Sequence, residues 1–152
     1  MIRSLRVRRP RRVGAALAAS TVCLLALGSA TPALASGGVF ANLDGANEVP
    51  GPGDPDGAGA AIVTLYPRTG KICAKVSVAR IGEPVAGHIH AGRAGVAGPV
   101  VVTLTGVTGG PQCTDGVNKA LVRAIRDHPA RFYVNVHTAA YPEGAVRGQL
   151  QG

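Results

Sequence analysis

Three histidines of this chain have types and spacing that suit metal chemistry. His88 and His90 are separated by one residue, and His137 lies in a later apolar segment. Because side chains alternate across a β-strand, His88 and His90 are expected to project from the same face of one strand. Imidazole nitrogens suit copper and zinc, and three neutral histidines leave a coordination position open. The spacing therefore raises the hypothesis of a copper or zinc site formed by His88, His90 and His137.

The two segments that would position these histidines follow one plan. They are residues 87–104 (GHIHAGRAGVAGPVVVTL) and residues 132–150 (FYVNVHTAAYPEGAVRGQL). Each begins as an alternating strand that carries histidine, passes through a connection rich in Gly, Pro and Ala, and resumes as a second alternating strand. This pattern predicts two β-hairpins. Alternation places Tyr133, Asn135 and His137 on one face, so two hairpins lying side by side would bring the three imidazoles together.

These segments, preceded by residues 42–51 (NLDGANEVPG), resemble the CHRD domain, a module first described in chordin. The resemblance extends over about residues 39–151. It implies an all-β domain outside the cytoplasm, and for single-domain members it implies no settled activity. Chordin's growth-factor antagonism does not carry over, because the cysteine-rich modules of that multidomain protein are missing from this sequence. Within the matching motifs, the residues assigned structural roles are Asn47, Glu48, Pro50, Asn135 and Arg147.

The N-terminal segment has the organisation of an export signal. A basic stretch (MIRSLRVRRPRR) precedes an apolar run, and a small-x-small site ends at residues 33–35. We therefore predict a cleaved signal peptide over residues 1–35 and a CHRD-like β domain over residues 36–152, secreted or held in the cell envelope. The apolar run approaches the roughly 20 residues that span a bilayer, which leaves a retained anchor as the alternative. Thr31-Pro32 and the cleavage site argue against stable membrane insertion of the mature chain.

The net charge of the chain belongs largely to this signal. The formal charge is +8, but ten of the sixteen basic residues and all eight acidic residues follow residue 35, so the predicted mature chain carries only +2. With no Trp, two Phe and three Tyr, it also lacks an aromatic platform for bases or sugars. Neither a nucleic-acid partner nor an anionic membrane surface is indicated.

Groups for other catalytic chemistry are scarce in the sequence. It contains no Gly-x-Ser-x-Gly elbow, phosphate loop or His-Glu-x-x-His motif, and the serines after residue 35 are Ser36 and Ser77. Glu48, Glu83 and Glu143 all lie in turns rich in Pro and Gly, without aromatic walls for a sugar. A non-enzymatic protein is therefore favoured.

Two cysteines remain after the predicted cleavage, because Cys23 lies in the signal. Cys73 and Cys113 form an even pair, and in an oxidising compartment pairing is the default expectation. We predict a structural disulfide between them. The competing interpretation, a reactive or metal-binding thiol, would need one cysteine free and close to the histidines.

The remaining pattern predicts the architecture. Seven to eight short strands with frequent turns and one helix indicate a Greek-key β-sandwich or flattened barrel, of superoxide-dismutase-like or immunoglobulin-like type. The helix is expected to be capped by Asp115 and to end before Pro129. Its apolar stripe is expected to pack on the core and consists of Val117, Leu121 and Ile125 with Ala120, Val122 and Ala124. Arg147 is expected to form an ion pair with Glu143 or Glu48.

The histidines leave two functional interpretations open. Copper/zinc superoxide dismutase has a fold similar to the one proposed here. Its copper ligands include a His-x-His pair on one strand and a histidine on a later strand, and by analogy the copper-type ligands here would be His88, His90 and His137. Apart from these the mature chain has only His128, so the zinc half of that enzyme cannot be built and efficient dismutation is disfavoured. The structural alternative is a hydrogen-bonded cluster of the three histidines with Asn135.

The preferred hypothesis is an exported, non-enzymatic binding or cell-envelope module whose partner is an unidentified extracellular protein or envelope component. No cofactor is required by this hypothesis. The alternative is a histidine-based copper or zinc protein with a redox or metal-handling role.

Overall fold

The computed structural model describes residues 37–152, and the predicted signal peptide lies outside them. This described part of the chain forms eight strands and one α-helix. In order these are β1 (Gly37–Asp44), β2 (Ala58–Tyr66), β3 (Lys71–Ala79), β4 (Pro84–Ala91), β5 (Val100–Thr103), β6 (Gln112–Thr114), α1 (Lys119–Asp127), β7 (Phe132–Thr138) and β8 (Val146–Gln149). The prediction of an all-β domain with one short helix is confirmed. No helix among residues 37–152 is long and apolar enough to span a membrane.

All eight strands belong to one antiparallel sheet with the order β5-β4-β7-β8-β1-β2-β3-β6. The sheet curls so that its two edge strands approach each other. The Thr114 hydroxyl donates to the Thr103 carbonyl and the Thr105 hydroxyl donates to the Cys113 carbonyl, each at 3.1 Å. These side-chain bonds nearly close the sheet into a flattened barrel, which confirms the predicted architecture.

The core lies inside this barrel, and strand alternation decides which residues reach it. On β2 and β3 every second side chain in the middle of the strand is buried. Ile62, which lies between the buried residues Ala61 and Val63 of β2, is exposed. Helix α1 covers the core with Val122 and Ile125, both fully buried. Full burial of each such side chain stabilises the fold by about 1.5–3 kcal/mol. The buried residues of β2 and β3 are Ala61, Val63, Leu65, Ile72, Ala74 and Val76.

The start of helix α1 differs from the prediction. Asn118, not Asp115, is its N-cap: the Asn118 side chain accepts a hydrogen bond from the Ala120 N–H at 2.8 Å. Asp115 instead lies 3.2 Å from the Lys71 ammonium. The Val117 N–H donates to the Gly70 carbonyl, which ties the chain to the β2–β3 turn and keeps Val117 out of the helix. The prediction for Asp115 was wrong because this long-range bond is invisible in the local sequence.

The two cysteines of the domain are joined. Cys73 on β3 and Cys113 on β6 are directly opposed in the antiparallel register and form a disulfide that closes a separation of 40 residues. The predicted disulfide is confirmed. It attaches the three-residue edge strand β6 to the rest of the sheet, at the seam where the barrel closes.

Candidate metal site

The histidine cluster is created by the pairing of β4 with β7. His88 lies opposite Asn135, and His90 lies opposite Tyr133. His88 and His137 thereby approach to 3.0 Å between Nδ1 and Nε2. One ring nitrogen from each of His88, His90 and His137 lies within 4.8 Å of the other two. The structure therefore brings together the three imidazoles that the sequence pattern placed on one face.

Backbone carbonyls fix two of the three rings. His90 Nδ1 lies 2.8 Å from the Gly98 carbonyl, and His137 Nδ1 lies 2.9 Å from the Pro142 carbonyl. A carbonyl oxygen only accepts, so both Nδ1 atoms must carry the proton. In the neutral rings the Nε2 atoms then have lone pairs, and these point toward the cluster. Metal-binding histidines commonly have this arrangement, with the second ring nitrogen donating to a backbone carbonyl.

Asn135 sits between these two lone pairs. Its amide is buried, and Oδ1 lies 3.0 Å from His90 Nε2 and 3.1 Å from His137 Nε2. An oxygen facing two nitrogen lone pairs is electrostatically unfavourable. Two arrangements relieve it: the amide turns so that its NH₂ donates to both rings, or a cation lies between the rings. The same geometry thus accommodates a hydrogen-bonded cluster and a metal site.

His88 completes the cluster and is electrostatically suited to remain neutral. Burial lowers the pKa of His88 below its ordinary value, and the nearby rings of His137 and His90 lower it further. Asn135 opposes this shift. A neutral His88 can donate its Nδ1 proton to the His137 Nε2 lone pair 3.0 Å away, and the other neutral tautomer would offer the same Nδ1 to a metal.

Two stacked side chains, Tyr133 and Arg147, support the ring of His90. The Tyr133 ring is stacked on His90 with 4.7 Å between the ring centroids and 11° between the planes. The guanidinium carbon of Arg147 lies 3.4 Å from the Tyr133 ring centroid on β7. The Gly98 N–H donates to the Tyr133 hydroxyl at 3.1 Å, and the Gly98 carbonyl is the same one that orients His90. Tyr133 thus positions both the ring of His90 and its hydrogen-bond partner.

Arg147 does not form the predicted ion pair. Its Nη2 donates to the carbonyls of Arg93 and Val96, at 2.9 Å each, and no carboxylate within residues 37–152 comes within 4.0 Å of its guanidinium. The prediction was wrong because the β4–β5 loop folds over the β8 face and places two backbone carbonyls within hydrogen-bond distance of the Arg147 guanidinium. Arg147 therefore ties the loop that carries Gly98 to the barrel.

Glu48, expected in a turn, is buried at the side of Arg147. Only 8% of its surface is exposed. Burial raises the pKa of Glu48 from 4.5 to about 7, and the opposing influences are the positive charge of Arg147 and the Val49 N–H. Asn47 holds this turn in place, since its side-chain amide donates to the Arg147 carbonyl at 3.4 Å. Nothing in the local sequence separates Glu48 from an ordinary exposed turn residue.

The raised pKa of Glu48 predicts a stability that decreases with pH. Between about pH 4.5 and pH 7 the unfolded chain releases this proton while the folded chain retains it, so the free energy of unfolding falls. Full burial would give about 3 kcal/mol, and solvent screening reduces our expectation to about 2 kcal/mol. Urea unfolding at pH 5 and pH 8 should show this loss in the wild type and a much smaller one in Glu48→Gln.

His88 acts in the opposite direction. Because its folded pKa is lowered, its contribution is fully present above the ordinary histidine pKa and is lost as pH falls below it. The comparison between wild type and Glu48→Gln isolates Glu48, since His88 is the same in both. Equal pH slopes in the two proteins would contradict the assignment to Glu48.

These features define the class of the molecule: a disulfide-bonded antiparallel barrel that carries a three-histidine cluster on its β4 and β7 strands. The sequence model of the CHRD domain matches residues 39–150, and the chain belongs to the CHRD domain family. No curated protein sequence and no solved structure matches the chain.

The other residues singled out in the sequence have distinct places. Pro50 lines a pocket next to Glu48, and His128 is the C-cap of helix α1, where its N–H donates to the Ala124 carbonyl. The sequence predicted a structural role for Arg147 but not the stacking of Arg147 and Tyr133 beside His90. The signal for Tyr133 was present, because alternation put it on the same face as Asn135. For Arg147 no comparable signal exists, since its partners lie more than fifty residues away along the chain.

Proposed function

We propose that this CHRD domain is exported and holds one copper or zinc ion through His88, His90 and His137. One observation carries the proposal: His90 and His137 both donate through Nδ1 to backbone carbonyls, so both Nε2 lone pairs are directed at the space shared with His88. The predicted export signal and the disulfide support a location outside the cytoplasm.

The donor set selects the class of metal. Three neutral imidazoles suit copper and zinc, whereas calcium and magnesium require oxygen ligands. The thiols of Cys73 and Cys113 are consumed in the disulfide, so imidazole nitrogen is the donor the cluster offers. Among divalent ions, Cu²⁺ is expected to bind more tightly than Zn²⁺.

The ring nitrogens must shift by roughly an ångström along the widest side of the cluster before all three can hold one ion. Nitrogen–metal distances of about 2.0–2.1 Å require ring nitrogens roughly 3.3–3.5 Å apart. His88 and His137 are already 3.0 Å apart, and the widest separation in the set is within 4.8 Å. Of the three rings, His90 is buried, while His88 and His137 are partly exposed. The two partly exposed rings give an ion access, and His88, which no backbone carbonyl holds among the described residues, has room to rotate.

The proposal assigns no reaction to the protein. Metal storage, transfer or sensing in the envelope requires only reversible binding, which three histidines provide. Binding to an extracellular or envelope partner stays a prediction and is compatible with a bound ion.

The test is a metal titration of the purified, untagged protein after metal removal. Calorimetry with Cu²⁺ and with Zn²⁺ should give one equivalent bound, and the electron paramagnetic resonance spectrum of the copper form should show nitrogen ligation. Each of His88→Ala, His90→Ala and His137→Ala should weaken binding by at least about 10-fold, because loss of a ligand exceeds the effect of losing a supporting residue. His128→Ala is the matched control and should bind like the wild type.

Stability measurements separate metal ligation from the hydrogen-bonded alternative. At free metal of 100 times Kd the wild type should gain about 3 kcal/mol of unfolding free energy, and the triple alanine variant should gain none. Failure of the wild type to bind saturably, or equal binding by a folded triple variant, would refute the proposal. If the wild type binds neither Cu²⁺ nor Zn²⁺ and the triple variant is less stable than the wild type, the three histidines form a structural, hydrogen-bonded cluster.

A further inference from the structure

A second site lies beside Glu48, on the barrel surface formed by two turns. Residues 50–52 and residues 140–144 enclose a cavity of about 220 Å³ whose wall includes Glu48 and Glu143. This volume corresponds to about seven water molecules. A single metal ion would leave most of the cavity unfilled, whereas a short organic group fits it.

The Glu48 side chain is built into this wall. It is 92% buried, and its Oε1 has no hydrogen-bond partner within the described part of the chain. Two glycines make space for it: a Cβ at Gly53 would lie 2.8 Å from Glu48 Cγ, and a Cβ at Gly144 would overlap the carboxylate itself. Gly144 also has a φ of +144°, which side-chain-bearing residues rarely adopt. The local backbone thus leaves space for a buried carboxylate that has one unpartnered oxygen.

The charged groups of the remaining wall are acidic, and three of its residues are prolines. Pro50, Pro52 and Pro142 have no N–H, so their backbone presents only carbonyl oxygen, and Glu143 adds a second carboxylate. Tyr141 contributes an aromatic ring, a surface that attracts cations. None of the residues that line the cavity carries a positive charge. A ligand with hydrogen-bond donors and a positive charge matches these walls.

Arg147 does not satisfy Glu48 from the other side. Its charge lowers the pKa of Glu48, and its Nη2 donates to the carbonyls of Arg93 and Val96, while its buried Nη1 has no partner within the described residues. The guanidinium and the Glu48 carboxylate are also farther apart than a salt bridge requires. Glu48 Oε1 therefore has no direct partner, and because this atom is itself buried, a ligand in the cavity reaches the carboxylate only when the side chain turns toward it.

We propose that this pocket binds a primary ammonium group on a short alkyl chain, with Glu48 as its ionic partner and Glu143 as a second, outer carboxylate. Such a group occurs on free alkylamines and on lysine side chains of peptides. The pocket is separate from the histidine cluster, so the proposal stands whether or not that cluster binds metal.

The experiment is a titration at pH 8, where Glu48 is ionised and an alkylammonium stays protonated as lysine does. Amide chemical shifts of the full protein are followed while n-butylamine is added, with n-butanol as the neutral isostere. We expect saturable shifts at Ala140 and Gly144 with the amine and none with the alcohol. A peptide with one central lysine, compared with the same peptide carrying norleucine, distinguishes a lysine side chain from a free amine as the source.

Variants assign the contact. Glu48→Gln should weaken amine binding by at least about 10-fold, because a charge-assisted hydrogen bond is replaced by a neutral one. Glu143→Gln should weaken it by about 2-fold to 5-fold, as an exposed charge does. Glu83→Gln, at an exposed turn away from the pocket, is the matched control and should bind normally.

Three results would overturn the proposal. The first is an amine titration without saturable shifts at the pocket. The second is undiminished binding in folded Glu48→Gln and Glu143→Gln. The third is binding of Ca²⁺ at these residues without binding of the amine, which would show a cation site of another chemistry.

Discussion

Arg147→Ala is expected to lower the free energy of unfolding by about 3–5 kcal/mol. Arg147 is 2% exposed and joins three parts of the molecule. The variant loses two charge-assisted hydrogen bonds to the carbonyls of Arg93 and Val96, together with the cation–π contact on Tyr133. It also leaves a cavity, which adds to the cost, while the carbonyls of Arg93 and Val96 belong to exposed loop residues and lose this donor. Release of the buried charge offsets part of this loss.

Urea unfolding at neutral pH measures the effect, and two further variants separate its causes. Arg147→Lys retains the charge but not the planar fork, so it should recover only part of the lost stability. Arg147→Met retains volume without charge or donors. A loss below about 1 kcal/mol for Arg147→Ala would show that the contacts with the loop carbonyls and Tyr133 contribute little.

Arg147 also connects stability to the proposed metal site. Because it holds Tyr133 against His90, the folded Arg147→Lys variant should bind Cu²⁺ about 10-fold more weakly than the wild type. This result rests on the proposed function. Unchanged copper affinity in the lysine variant would mean that the stack stabilises the barrel without orienting His90.

Removal of the disulfide is expected to lower the free energy of unfolding by about as much as Arg147→Ala does. Cys73→Ala/Cys113→Ala opens a connection that spans 40 residues, and the chain-entropy estimate for such a loop is about 4 kcal/mol. The loss should concentrate at the seam of the barrel, because β6 has three residues and pairs with β3 alone. Amide hydrogen exchange should accordingly accelerate first in β6 and in the part of β3 that faces it.

The matched comparison keeps the disulfide and removes the bonds across the seam. Thr105→Val/Thr114→Val deletes both threonine hydroxyls that bridge the edge strands and should cost only about 1–2 kcal/mol, one ordinary hydrogen bond each. Urea unfolding of both double variants gives the ranking. A smaller loss for the cysteine variant than for the threonine variant would contradict a dominant role for the cross-link.

The two proposed sites share one structural element. The Pro142 carbonyl accepts from His137 Nδ1, and the same residue lines the pocket beside Glu48. The turn over residues 140–144 therefore orients a histidine on one side and contacts the second pocket on the other. The two sites are nevertheless tested independently, because metal binding depends on the ring nitrogens and amine binding on the carboxylates.

Much of this fold can be predicted from the sequence, because the pattern that places each side chain on one face of a strand depends on neighbouring residues. The period-two alternation predicted which residues of β3 and β7 face the core. It also predicted that His88 and His90 share one face of β4, and that Asn135 and His137 share one face of the neighbouring strand β7. Strand pairing then had only to make β4 and β7 neighbours for the imidazoles to meet. The disulfide was predicted because two cysteines remain after the predicted cleavage and an oxidising compartment favours their pairing.

Where the sequence failed, a contact between distant segments decided the outcome. Asp115 has the chemistry of a helix cap, yet the bond from the Val117 N–H to Gly70 delays the helix until Asn118. Arg147 was expected to find a carboxylate, but the β4–β5 loop brings two carbonyls closer. Charge attracts at long range, whereas hydrogen bonds require close approach, and only the folded chain fixes which groups approach.

The sequence by itself thus determined the strand pattern, the faces of the histidines and the pairing of the cysteines, since each depends on neighbours along the chain or on simple parity. The tertiary structure alone decided which nitrogen of His90 and of His137 carries its proton, because the deciding carbonyls belong to loops. It also decided that Glu48 lies buried between Gly53 and Gly144. Burial and proton position depend on what surrounds a group in space, and that is set only when the barrel closes.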